Sequence, residues 1–174
     1  QNSQHLLGLI NDLLDFTKAE VGKMEYNMQN NDINKIIKLA YSNTYSLLNG
    51  TDIEFRLNIP EDKYTGYFDS RRFLQILLNL LSNSIKFTKK GFVEIRSFED
   101  NGFIFVEIED SGKGIPEEIH KKIFDPFVQA KSIDSGTGLG LGLVKKMCLD
   151  MGIDISFTSK EGDGTTFKLG IKKC

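Results

Sequence analysis

What this sequence has little of narrows its function before any motif is read. It holds only two cysteines, Cys148 and Cys174, far apart and in no metal-ligand spacing. That excludes a disulfide scaffold or a zinc knuckle and suits a reducing compartment. Charge of one sign is lacking too: the formal net charge is -2 and no basic run occurs. Nucleic acid and an anionic membrane surface therefore find no electrostatic footprint. No apolar run approaches a membrane-spanning length, and no signal peptide precedes the fold. The first residue is Gln1 and not Met, already in helical pattern, which reads as a piece of a longer protein. What is present is 174 residues with 40% hydrophobic and 26% charged content. That describes a globular chain long enough for one core and a small appendage.

The most informative stretch runs from Asp69 to Lys90, DSRRFLQILLNLLSNSIKFTKK. At helical pitch its apolar residues Phe73, Ile76, Leu77, Leu80, Leu81, Ile85 and Phe87 cover most of the circumference. The remaining stripe holds Arg72, Gln75, Asn79, Asn83 and Lys86. Asparagine is a poor helix former, so two of them one turn apart need a reason. Two carboxamides followed by a lysine can grip a metal ion and the phosphates it bridges. An ordinary core helix with a wetted stripe is the plain alternative.

Around this helix the patterns alternate irregularly. Ser3 to about Val21 is helical, with Leu6, Leu7, Leu9, Ile10, Leu13, Leu14 and Phe16 forming an arc wide enough for a multi-helix bundle. It either packs on the domain that follows or belongs to a dimeric bundle, the reading favoured here. A boundary falls at Val21-Gly22-Lys23. Asn31 or Asp32 caps a helix from Ile33 to about Leu48 that buries Ile33, Ile36, Ile37, Ala40 and Leu47. Asp52 to Ile59 alternates as a strand with Ile53, Phe55, Leu57 and Ile59 inward. Tyr64 to Phe68 is a short strand. Phe92 to Phe98 and Phe103 to Glu109 form a hairpin around Asp100-Asn101-Gly102. A helix from about Gly138 to Met151 precedes a last hairpin, Ile153 to Ser159 and Thr165 to Ile171. The fold class is α+β, a two-layer sandwich of one mixed sheet with about three helices on one face.

Four glycine- or proline-bearing elements carry further signal. Asp110-Ser111-Gly112-Lys113-Gly114 follows a strand, so a carboxylate stands where a ligand can approach the backbone. Such a carboxylate accepts from an exocyclic amine, as on adenine, and repels the carbonyl guanine has there. Gly136 to Gly142, GTGLGLG, opens a helix, whose free N–H groups suit phosphate. It is neither a dinucleotide fingerprint nor a P-loop. Gly162-Asp163-Gly164-Thr165-Thr166 is sufficiently explained as a hairpin turn. In Ile123-Phe124-Asp125-Pro126-Phe127 the two phenylalanines read as hinge packing.

Taken in order, the asparagine helix, DxGxG, FxPF, GxGLG and GxGTTF strongly resemble the ATP-binding domain of sensor histidine kinases. That family shares the Bergerat fold with DNA gyrase, MutL and the large heat-shock chaperones. The resemblance covers about Asn31 to Ile171. The stretch HLLGLINDLLDFTKAEVGKME also resembles the second helix of the family's dimerisation bundle. The expected division is residues 1–22 as that truncated helix and 23–174 as the catalytic domain.

The resemblance implies roles. Asn83 coordinates Mg²⁺ bridging the ATP phosphates, with Asn79 one turn earlier beside the reacting phosphate. Lys86 faces the phosphates or ribose, so Asn79, Asn83 and Lys86 form the catalytic set. Asp110 binds the adenine amine over Gly112 and Gly114, with Ile115 next in the same nucleotide loop. Thr166 joins the adenine water network. Gly138, Leu139 and Gly140 offer backbone N–H groups to phosphate, and Lys131 is the basic residue of the lid, about Val128 to Thr137. ATP-hydrolysing relatives place a glutamate where Asn79 stands. An amide cannot accept a proton, so Asn79 favours transfer to a histidine over hydrolysis.

Departures from the pattern matter as much. Neither His5 nor His120 matches the family's phosphoacceptor motif, which is expected upstream of Gln1. Gly142 replaces a common alanine and costs the helix about 1 kcal/mol. The implied function is γ-phosphate transfer from ATP to a histidine, for relay to the receiver domain of a response regulator. A homodimer through the bundle is implied, and the alternative is a regulatory module that binds ATP without transfer. The segment is expected in the cytoplasm, with any membrane anchor in parent regions outside it.

Overall fold

A computed structural model of the chain describes residues 2–128 and 138–174. Helix α1 (Asn2–Glu20) leads through a linker, in which Met24 is buried and Tyr26 and Met28 pack on the core, to β1 (Gln29–Asp32) and α2 (Ile33–Thr44). Strands β2 (Asp52–Asn58) and β3 (Thr65–Phe68) precede α3 (Ser70–Phe87), and β4 (Lys90–Asp100) and β5 (Phe103–Asp110) follow it. Next come α4 (Gly140–Met151), β6 (Asp154–Lys160) and β7 (Gly164–Lys172). The main sheet runs β2-β4-β5-β7-β6; β2 and β4 are parallel and the other neighbours antiparallel. It is the mixed sheet of a two-layer α+β sandwich.

Alternation places the core. Val93 and Ile95 of β4, Ile104, Val106 and Ile108 of β5, and Phe167, Leu169 and Ile171 of β7 all face one side and are buried. Against them pack α2, α3 and α4, with Phe73, Ile76, Leu77, Leu80 and Leu81 fully buried. The opposite face keeps the charges, among them Arg96 within 2.8 to 3.2 Å of Glu94, Glu107 and Glu109.

Local chemistry explains the element ends. Asp32 caps α2 by accepting from Lys35 N–H, and Asp69 caps α3 by accepting from Arg72 N–H at 2.9 Å. Asp69 also accepts from Asn27 N–H at 2.7 Å, which ties the linker to the start of α3. Asn101 and Gly102 both have positive φ, 50° and 80°, as a two-residue hairpin turn requires.

Several sequence expectations need correction. The helix from Ile33 tightens into a 3-10 turn at Tyr45–Leu48, which rotates Leu47 outward to 51% exposure. Leu57 lies on an edge strand near its end and is 37% exposed. The helix expected from Gly138 begins at Gly140. The pairing of β1 with β3 was not foreseen, because Gln29–Asp32 carries no apolar residue. Nor was the 3-10 helix at Glu117–Lys122.

Helix α1 is divided in its contacts. Ala19 is fully buried and Phe16 packs on the core, its ring facing Gly142 of α4, where a Cβ would stand 3.5 Å from it. Asp15 accepts from Arg72 at 3.2 Å and Gln75 at 3.0 Å on α3. Ile10, Leu13 and Leu14, by contrast, remain about half exposed. No helix among the described residues is long and apolar enough to cross a membrane.

Candidate functional site

The site forms where the C-terminal half of α3 meets the end of β5, the start of α4 and the β6–β7 turn. Burial of the apolar arc of α3 leaves Asn79 and Asn83 on its remaining face. Asn83 Nδ2 reaches Asn79 Oδ1 at 3.5 Å, which leaves the Asn83 carbonyl oxygen uncommitted to that contact. The backbone of Gly140 lies directly over Asn79, since a Cβ there would stand 2.6 Å from Asn79 Oδ1. Glycine at that position lets the first turn of α4 close onto the asparagine. The residue at the N-cap is Leu139, whose own side chain makes no capping hydrogen bond. The first N–H groups of α4 keep the positive end of the helix dipole.

Asp110 ends β5 and is buried. Its Oδ1 accepts from Gly112 N–H at 3.0 Å, and Thr165 N–H lies near enough to favour the charge of the carboxyl. Ser84 of α3 places its hydroxyl beside the same carboxyl, near enough to favour its charge but outside hydrogen-bonding geometry. Desolvation outweighs these donors and pushes the carboxyl above its usual range. A buried carboxylate short of donors is suited to accept an amine hydrogen from a ligand.

Two glycines make the loop after Asp110 possible. At Gly112 a Cβ would meet Phe87 O at 2.6 Å, and Gly114 has φ of +70° with its backbone pressed on Lys160. Ile115 follows, half-buried, its N–H donating to Ser159 Oγ at 2.8 Å. Lys86 is exposed at the end of α3, its ammonium 5.2 Å from the Phe87 ring centre, while Lys113 Nζ lies 5.1 Å from the same centre. Partial burial and the neighbouring Lys113 charge lower the pKa of Lys86.

The threonine beside Asp110 is Thr165 and not Thr166. Thr165 pairs directly across from Asp110 and is buried, whereas Thr166 pairs with Glu109 and so points to the opposite face of the sheet. Side-chain parity with Phe167, Leu169 and Ile171 could have shown this from sequence. Ser159, which the sequence reading passed over, lies 2.8 Å from Thr165 Oγ1.

Of the two hinge phenylalanines, Phe124 packs edge-on against Phe157 and Phe167. Phe127 instead is 68% exposed with φ of 63°. Its N–H donates to Gly138 O at 2.9 Å. Gly138, Leu139 and Gly140 thus lie at the start of α4, with the Leu139 side chain buried. Lys131 and most of the expected lid lie outside the described residues, and so does the side chain of His5.

Residues 68–173 match the family of histidine kinase-, DNA gyrase B- and HSP90-like ATPases. The chain belongs to that family. It is 39% identical over 98% of its length to the hybrid signal transduction histidine kinase B of Dictyostelium discoideum, of which it spans 9%. With the autoinducer 2 sensor kinase/phosphatase LuxQ of Vibrio vulnificus it shares 36% identity over 98% of its length, or 21% of that protein. Its fold superposes on full-length ShkA, solved in complex with AMPPNP, with a TM-score of 0.87. That match has 27% identity and covers 98% of this chain and 36% of ShkA. The mixed sheet under its helices is therefore the Bergerat fold, and the domain is an ATP-binding catalytic domain of the sensor histidine kinase type.

Proposed function

We propose that this domain binds Mg²⁺–ATP and transfers the γ-phosphate to a histidine of its parent protein, for relay to a receiver domain. The observation that carries the proposal is that the C-terminal half of α3 brings together the Asn79–Asn83 pair, the start of α4, which lies against Asn79, and buried Asp110, which lies beside Ser84. Asp110 accepts from the adenine amine, and Thr165 takes the network position first expected at Thr166. The first turn of α4 and Lys86 neutralise phosphate charge.

The donor set suits Mg²⁺, which takes one or two protein oxygens and fills its shell with phosphate and water. Asn83 would hold the ion through its amide oxygen, with Asn79 adjacent. Among the described residues no group of three His, Cys, Asp or Glu could hold a metal, in keeping with an ion that arrives with its nucleotide. When bound, the ion neutralises phosphate charge and aligns the γ-phosphate. Asn79 cannot act as a base for water, and a neutral imidazole acceptor does not need one. Dimerisation through α1 forms part of the same proposal, supported by its half-exposed Ile10, Leu13 and Leu14.

The test uses a longer parent chain that includes the sequence upstream of Gln1, with γ-labelled ATP and Mg²⁺. Label is expected as acid-labile, base-stable phosphate, and is lost when the upstream histidine is replaced. Measurable ATP binding without any such label would instead assign a regulatory role.

A further inference from the structure

We propose that His120 and Ser159 are positioning residues that clamp the Ile115 peptide from both sides and so set the adenine-facing loop, 110–115. The proposal rests on the ATP-binding reading above and extends it to two residues outside the expected site. Ile115 N–H donates to Ser159 Oγ at 2.8 Å, and Ile115 O accepts from His120 Nε2, also at 2.8 Å. A carbonyl oxygen can only accept, so this contact fixes the proton on Nε2. The His120 ring is itself held edge-on by Phe157, centre to centre at 5.1 Å. His120 therefore reaches the loop from the 3-10 helix at Glu117–Lys122, and Ser159 reaches it from the end of β6.

Counting protons at Ser159 carries the argument to the nucleotide. Its oxygen lies 2.8 Å from Ile115 N, 2.9 Å from Gly164 O and 2.8 Å from Thr165 Oγ1. A hydroxyl has one proton to donate and two lone pairs. Gly164 O can only accept and Ile115 N–H can only donate, so both groups are satisfied when Thr165 is the donor of the third contact. The Thr165 proton is then committed to Ser159, and the Thr165 lone pairs are left to accept beside Asp110. His120 and Ser159 thus fix the place of the loop, and Ser159 also fixes the polarity of Thr165. The backbone of the preceding residues is held separately: Lys113 O accepts from Gly162 N–H at 2.7 Å. At Ile115 the holding groups are side chains from outside the loop.

The experiment measures ATP and GTP affinity by calorimetry on the chain and on His120→Leu, His120→Gln and Ser159→Ala, with amide exchange at Ile115. Leucine keeps packing bulk against Phe157 and has no donor, whereas glutamine restores an N–H. His120→Leu and Ser159→Ala are each expected to weaken ATP binding about fivefold, the equivalent of one ordinary hydrogen bond. Both should narrow the ATP-to-GTP preference, His120→Gln should stay within about twofold of the parent chain, and Ser159→Ala should speed exchange at Ile115. Unchanged ATP affinity in all three variants would overturn the clamp. Equal weakening by leucine and glutamine would do the same, since bulk and not the hydrogen bond would then matter. If the unsubstituted chain binds no ATP, the nucleotide reading itself falls, and the clamp with it.

Discussion

Arg72 and Asn83 lie on one stripe of one helix, three turns apart, yet the two ends of that stripe are solved differently. At the N-terminal end, protein groups satisfy protein groups. Arg72 and Gln75 both reach Asp15 of α1, and Arg72 also donates to Gln75 Oε1 at 2.9 Å. At the C-terminal end, among the described residues, the side chain of Asn83 reaches only its neighbour Asn79, at a long 3.5 Å, and Lys86 is exposed. A polar stripe on a buried helix can thus serve packing at one end and a ligand at the other. Composition does not distinguish the ends; partners do.

The comparison predicts opposite consequences for substitution along the stripe. The largest effect belongs to Asn83→Ala. It removes the amide oxygen assigned to Mg²⁺ but, among the described residues, breaks only a 3.5 Å contact. Mg²⁺-dependent ATP affinity is expected to fall by about 100-fold, in line with loss of a metal ligand or its support. The melting temperature should barely change. Calorimetry with and without Mg²⁺ checks this, and full retention of Mg²⁺-dependent binding would remove Asn83 from the metal site.

Next in size is the response to pH at Asp110, which sits beside Ser84 of the same helix end. Burial raises the Asp110 pKa above its ordinary 3.8, so the folded chain takes up its proton earlier than the unfolded chain on acidification. In that window the folded state binds more protons, so nucleotide-free stability falls as pH rises through it. The cost of the buried charge is fully present above the folded pKa and absent below 3.8. Recognition has the reverse dependence, because only the carboxylate accepts without offering a proton. ATP affinity should therefore decline on acidification while the pH is still above 3.8, with Asp110→Asn abolishing that dependence. An ATP affinity that holds constant down to that pH would count against adenine recognition by Asp110.

How much of this was legible from sequence follows the same division. The arc of α3, the hairpin at Asn101-Gly102 and a cap at Asn31 or Asp32 were readable because local chemistry dictates them. Asp110 and its glycines, taken alone, read equally as a turn after a strand, and only their order among the other motifs singled them out. Leu47 and Leu57 misled, since an apolar residue at the right spacing gives no warning of a 3-10 turn or a sheet edge. The threonine expected beside Asp110 was Thr166, one residue from Thr165, which pairs across from it, and in a strand one residue exchanges the faces completely. The partnership of Arg72 and Gln75 with Asp15 was not legible at all. It joins residues more than fifty positions apart, and no local pattern announces such a contact.

The smallest expected effect tests that partnership. Asp15 and Arg72 are largely screened from water, with side chains 25% and 12% exposed, so their pairing is stronger than a surface bridge. Arg72→Ala or Asp15→Ala should each cost about 1–2 kcal/mol. The double substitution should cost less than the sum, with a coupling energy of about 1 kcal/mol. Amide exchange should localise the loss to α1, because the sheet and the asparagine end of α3 keep their own contacts. ATP affinity should stay as it was. Strictly additive losses would mean that the two side chains are neighbours without an energetic bond. A fall in ATP affinity would mean that the ends of the stripe are coupled through α3, and the division drawn between them would have to be abandoned.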